Sequence, residues 1–288
     1  MNSESQLLQW ESWRGREREH QARADALTAR WRARQQSGSK HPVDDFLFTY
    51  YPVRPATLRR WHPGAGVTLE GAATKERAAW KWYLVEGDDV RVDTAALLAQ
   101  RESSIRFIVS LLQKTATRQA NFGCFGLHEW AMVYRSDETR HEVPLRLGGA
   151  GTNEVVEGHR IACSHFDAFR FFTPEAVSRN RLVPSRDNQP ELEQPGCLHA
   201  GMDVYKWVTK LGPLVPGEVL LDAFELARDI RQLDMRASPY DLREWGYQPV
   251  TIETPEGKAE YVREQRGFAE RGNALRERVI AAVVPLLG

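Results

Sequence analysis

Histidine, aspartate and lysine recur one helical turn apart in the stretch Gln194 to Leu211, QPGCLHAGMDVYKWVTKL. On a helix, His199, Asp203, Lys206 and Lys210 share one stripe, while Leu198, Val204, Tyr205, Val208 and Leu211 take the other side. Such a stripe can offer one ligand an acid/base group, an orienting carboxylate and a cation. It equally fits the solvated face of an amphipathic helix. Cys197 stands just before it, in a Cys-x-His pair.

A second constellation is Ser164-His165-Phe166-Asp167, expected at the end of a strand from Val155 to Cys163. His165 and Asp167 share a face if the strand continues. Phe169, Arg170, Phe171 and Phe172 follow, so polar groups meet aromatic walls, a common site layout. His128-Glu129 enters an apolar Trp, Met and Tyr run, where burial would perturb titration. A buried histidine satisfied by backbone fits there as well. Tyr50, Tyr51 and Trp61 either line a pocket for a flat or cationic ring or pack into the core. Glu218, Asp222, Glu225 and Asp229 form an acidic stripe. In a bundle it could hold metal with histidines of other helices, or it is a solvated face beside Arg228 and Arg231.

These residues need elements to position them. Helical spacing predicts helices over 2–36, 94–117, 198–211 and 218–235, and from Glu256 to about Val284. Residues 79–92 read as a hairpin turning at Glu86-Gly87-Asp88-Asp89, and Pro249 to Glu253 as a short strand. Gly148-Gly149-Ala150-Gly151 lacks the setting of a nucleotide-binding loop and reads as a flexible connection. Ser238-Pro239-Tyr240-Asp241 resembles a helix start. The expected fold is α+β, mostly α-helical with a few short strands. A basic N-terminal helix or arm over 1–40 precedes a single mainly helical domain over 41–288.

The 288 residues are 42% hydrophobic and 27% charged, ordinary for a globular chain with a real core. No apolar run approaches the ~20 residues of a membrane span. Cys124, Cys163 and Cys197 are too few and too odd in number for a disulfide framework, so a cytoplasmic location is expected. Net charge is zero, which gives no overall signal for nucleic acid. Its distribution is uneven. Residues 14–40 hold eight Arg or Lys against three acids, which suits either a phosphate-meeting arm or a surface helix docked by its tryptophans.

The strings HPVDDFLFTYY, LRRWHPG, FGCFGLHEWAMVYR, CSHFDAFRFFTP, EQPGCLHAGMDVYKW and LDMRASPYDL together resemble a bacterial, mainly actinobacterial family commonly labelled 3-methyladenine DNA glycosylase. The similarity spans roughly residues 40 to 270. It implies a DNA-repair enzyme that excises alkylated purines. That chemistry stacks a flipped base on aromatics and stabilises an oxocarbenium-like sugar with a carboxylate. The hairpin LPGxGxxxA with its downstream aspartate, the best-known arrangement for this task, is absent; Val215-Pro216-Gly217 only echoes it. The expected roles are Asp167 or Asp203 as catalytic carboxylate, with His165 or His199 as its partner. Arg170, Lys206, Tyr50, Tyr51, Trp61, Phe169, His128 and Glu129 are the candidates for binding DNA. No cofactor is expected for that chemistry. The alternative is a metal-dependent oxidase or hydrolase for a small molecule, its divalent ion held by Cys197, His199, Asp203, Glu225 and Asp229, with His165 and Asp167 as further candidates.

Overall fold

The Leu198–Leu211 and Gly217–Arg236 helices are joined by one 3-10 turn, Gly212–Leu214, and this hairpin forms the centre of the molecule. A Cβ at Gly201 would lie 2.7 Å from Ile230 Cδ1, so glycine lets the two helices meet closely. The Pro255–Val283 helix packs on both, and the Thr94–Thr117 helix packs on it in turn. Asp93 caps the latter by accepting from the Ala96 N–H at 2.9 Å, one residue earlier than a cap at Thr94. The computed structural model describes residues 6–51 and 53–288. It shows the expected mostly helical α+β fold. No helix among these residues is long and apolar enough to cross a membrane.

The sheet is small and lies at the N-terminal side. β1 (Gln6–Leu8), β2 (Val67–Leu69), β3 (Tyr83–Glu86) and β4 (Asp89–Val92) order as β1-β2-β4-β3. β1 runs parallel to β2 and the other pairs are antiparallel. Gly87, at φ 63°, turns the β3–β4 hairpin where the sequence places it. The helix expected over 2–36 is in fact β1 followed by a Trp10–Ser37 helix, because Gln6–Leu8 pair with Val67–Leu69; residues 1–5 lie outside the described residues. Val155 and Val156 are not in a strand. They sit on the inner face of a Gly148–Glu157 helix whose first turn is the Gly-rich segment. Thr152 Oγ1 donates to the Gly148 carbonyl at 2.7 Å, one turn back along that helix. Pro249–Glu253 forms no strand, and Ser238–Asp241 starts only a later 3-10 turn at Arg243–Trp245.

The basic and acidic stripes neutralise each other. Arg16 pairs with Glu218 at 2.8 Å, and Arg23 with Asp222 at 2.7 Å and with Glu225. Asp229 is held by Arg228 at 3.0 Å and Arg271 at 2.8 Å. Glu225 and Asp229 are thus helix-to-helix and surface clasps, and among the described residues neither joins a cluster of candidate metal ligands. The Trp10–Ser37 helix buries Trp13, Glu17, His20, Ala24 and Thr28 on one side. Trp61 is also interior, with its Nε1 donating to Glu218 Oε1 at 3.1 Å and Arg77 5.3 Å from its ring. It packs the core and faces no ligand groove.

His62 in this region carries a pH dependence. Tyr83 Oη lies 2.7 Å from its Nδ1. Burial, then Arg77, push its pKa down to about 3. The unfolded chain protonates this imidazole near ~6.5 and the folded chain only near 3, so its contribution is complete above ~6.5 and is lost as pH falls toward 3. The full shift is worth about 5 kcal/mol; because the residue keeps some contact with solvent, about 2 kcal/mol is expected. The urea midpoint should therefore fall between pH 7 and pH 4 by clearly less in His62→Gln than in the unchanged protein. Equal falls would remove His62 from the acid response.

Candidate functional site

The first half of the polar stripe of the Leu198–Leu211 helix is not solvated, while Lys210 at its end is exposed. His199 is 7% exposed and Asp203 1%. Three segments cover it: 124–128, 163–167 and 193–197. The start of the helix is clamped onto Asn121, just before the first of these. Gln194 Oε1 accepts from the N–H of Asn121 at 2.8 Å and of Gly196 at 2.7 Å, and Gln265 Nε2 donates to the Gly196 carbonyl at 2.6 Å. A Cβ at Gly196 would lie 2.5 Å from the Asn121 carbonyl oxygen. Backbone cannot yield cheaply there, so Gly196→Ala should cost about 1–3 kcal/mol by denaturant unfolding. A neutral result would show that the clamp is loose.

The three histidines converge. The His199 ring stands 4.5 Å from that of His128 and 5.4 Å from that of His165, centroid to centroid. Behind His128, its Nε2 lies 2.8 Å from Asp234 Oδ1. Arg231 Nη1 donates to Asp234 Oδ2 at 3.0 Å and to Glu129 Oε1 at 2.8 Å. Behind His165, its Nε2 lies 3.3 Å from both Glu193 Oε1 and Asp203 Oδ2. Tyr51 Oη donates to Asp203 Oδ1 at 2.9 Å. Lys206 Nζ bridges Asp203 and Asp167, reaching the latter at 3.2 Å, and Arg170 Nε meets Asp167 Oδ1 at 3.2 Å.

Each histidine titrates according to its neighbours. Burial would lower His165, but Asp203 and Glu193 hold it at about 9. Burial likewise opposes protonation of His128, and Asp234 raises it well above the usual range. His199 is pushed well below by burial and by the two flanking histidines. Burial works against the Asp203 carboxylate, yet Lys206 and His165 keep its pKa low. The Cys197 thiol is raised by burial and then by Cys124. The sequence therefore brings a neutral imidazole between two that favour the charged form.

Among the described residues, two groups of three buried donors have ligand atoms within 4.8 Å of one another: His128, His199 and Asp234, and His165, Glu193 and Asp203. Of the residues expected to bind metal, Cys197 shares a cavity with His199, and Asp203 belongs to the second group.

A groove of about 630 Å³ opens beside Lys206. Arg101, Arg186, Lys206 and Lys210 supply cations, Phe107, Phe166 and Trp207 aromatic walls, and Asp167 a carboxylate. Lys206 Nζ lies 4.4 Å from the Trp207 ring centroid, and Phe107 is 43% exposed. The remaining expected ligand-binding residues lie elsewhere. Tyr50 stacks on Phe46 at 5.0 Å, Phe169 packs against Phe172 at 5.1 Å, and Glu129 is held by Arg231. Sequence reasoning missed Arg101, Phe107, Arg186, Glu193, Arg231 and Asp234 as site residues. It also passed over a regularity: each of the three cysteines precedes a histidine by two or four positions, as Cys124/His128, Cys163/His165 and Cys197/His199.

No protein-family model, curated protein or solved structure matches this chain.

Proposed function

We propose that the chain is a DNA N-glycosylase for alkylated purines such as 3-methyladenine, acting in the groove beside Lys206. The observation that carries this reading is the groove's composition, four cations and three aromatics around one carboxylate. Its volume of about 630 Å³ suits an extruded base with its sugar. Arg101, Arg186 and Lys210 meet backbone phosphates, which fix register without reading sequence. Phe107, Phe166 and Trp207 stack the flipped base, and a cationic methylated ring gains further from their π faces. The resemblance of the six strings to a family labelled 3-methyladenine DNA glycosylase supports the same reading.

Asp167 is the carboxylate that reaches the groove, so it takes the catalytic role. As C1′–N breaks, the base leaves with the bond pair; being already cationic, it departs neutral. Water oxygen bonds C1′ and its proton passes to Asp167. Asp203 is buried behind Lys206 and is a positioning residue, as is His165 behind it. His199 does not line the groove. The test is release of free base from methylated duplex DNA by the purified protein. Release of 3-methyladenine above the spontaneous rate is expected, and none over the spontaneous rate would end the proposal.

A further inference from the structure

The cavity between the 124–128, 163 and 197–199 segments has room for about 10 Å³, the space of one water-sized body or one ion. Its wall holds Cys124, Cys163, Cys197, His128 and His199. It shares no lining residue with the groove. We propose that this cavity binds one divalent transition-metal ion of the borderline class, zinc or ferrous iron, through Cys124, His128, Cys197 and His199, with Asp234 orienting His128.

The donor chemistry selects this ion class, since thiolate with imidazole suits zinc and iron and disfavours magnesium or calcium. His128 has the two-sided arrangement of a metal-bound imidazole. Its Nε2 faces Asp234 Oδ1 at 2.8 Å, while its Nδ1 lies 3.5 Å from Cys124 Sγ on the cavity side. A carboxylate on the far nitrogen fixes the ring and its tautomer for a metal on the near one. Asp234 does not line the cavity, which suits that outer role. Among the described residues no hydrogen bond holds the His199 ring, which meets only His128 and His165 edge or face. The backbone N–H groups of Ala200 and His199 face the Cys197 sulfur at the start of its helix. Phe125, between Cys124 and Gly126, takes a left-handed φ of 49°, strain that fixes how Cys124 and His128 face each other.

In the second donor group the Asp203 carboxylate is already engaged without an ion. Asp203 already meets Lys206, His165 and Tyr51. His128, His199 and Asp234 are the group left open on the cavity side. Cys124 Sγ is already within 3.5 Å of His128 Nδ1, but neither Cys124 nor Cys197 belongs to a group in which every ligand atom is within 4.8 Å of the others, so binding requires the two sulfurs to draw in around the ion. Four protein ligands with no open position describe a structural site that pins the 124–128 and 197–199 segments together.

The experiment is titration of the chelator-stripped, dialysed full-length protein with cobalt(II), read by absorption, and with zinc(II), read by thermal unfolding. One equivalent of cobalt, tetrahedral visible bands, a sulfur-to-cobalt charge-transfer band and a zinc-raised Tm are expected. Cys124→Ser and His199→Gln should weaken binding by well over tenfold, and Asp234→Asn by about 10–100-fold with the sulfur band kept. Uptake well below one equivalent, a spectrum without the sulfur band, or unchanged affinity in folded Cys124→Ser and His199→Gln would each overturn the site. Should those variants misfold by circular dichroism, the spectrum of the unsubstituted protein decides. Base release by the groove is a separate readout, so either proposal can fail alone.

Discussion

Arg231→Met is expected to lower the unfolding free energy by about 3–5 kcal/mol, among the largest losses any single change in this chain would give. Arg231 is 2% exposed and its guanidinium holds both Glu129 and Asp234. Methionine conserves much of the volume, including the packing over Phe46, whose ring centroid lies 4.0 Å from the guanidinium carbon. The loss is therefore one of charge. Asp234 keeps His128, but Glu129 loses the one cation it meets among the described residues and stays buried. An uncompensated carboxylate in low dielectric is the costly outcome, whereas removal of both charges is cheap. The double variant Arg231→Met with Glu129→Gln should accordingly recover a large part of the loss. Guanidinium chloride unfolding at pH 7 measures all three proteins. A single-variant loss under about 1 kcal/mol, or no recovery in the double variant, would show that the triad is not an electrostatic unit.

The same triad shows where a sequence is informative and where it is not. Apolar spacing fixes the Gly217–Arg236 helix well, and Pro and Gly punctuation marks both ends of the Leu198–Leu211 helix. Gly87 marks the hairpin because two-residue turns need a positive φ. By contrast, Val155 and Val156 resemble a strand, since β-branched residues favour one, and the glycines before them disfavour a helix. Burial of Thr152, Val155 and Val156 on one face overrides both tendencies. A single sequence does not carry that information.

For the site, the His199/Asp203/Lys206 stripe is visible as a pattern, but its burial is not. The cover comes from segments as far away as Cys124 and His128, and helical spacing is silent about contacts at that range. Arg231 and Asp234 look like ordinary neighbours on a charged helix for the same reason. The acidic stripe is equally plain, yet only the Trp10–Ser37 helix across from it explains it. Phe107 escaped because its helix was read for the apolar residues facing inward, while this one faces the groove.

Asp167→Asn is expected to reduce the kcat for base release by about 10²–10⁴-fold with KM little changed. Asparagine keeps the shape and the hydrogen bonds available to Lys206 and Arg170 but removes the charge opposite the developing oxocarbenium. Arg186→Ala and Lys210→Ala should act in the other term. Each raises KM and lowers the magnitude of the salt slope by about one, because one phosphate partner is lost. Asp203→Asn separates positioning from catalysis. It frees Lys206 from its buried anchor and should lower activity less than Asp167→Asn while costing more stability, since Asp203 is interior and Asp167 is at the groove. Steady-state release from methylated duplex at several salt concentrations, with denaturant unfolding of the same variants, resolves the four. Full activity in Asp167→Asn would remove this carboxylate from the reaction. If Asp203→Asn instead lost as much kcat as expected for Asp167→Asn at unchanged stability, the reacting centre would lie deeper, on the His165 side of Lys206.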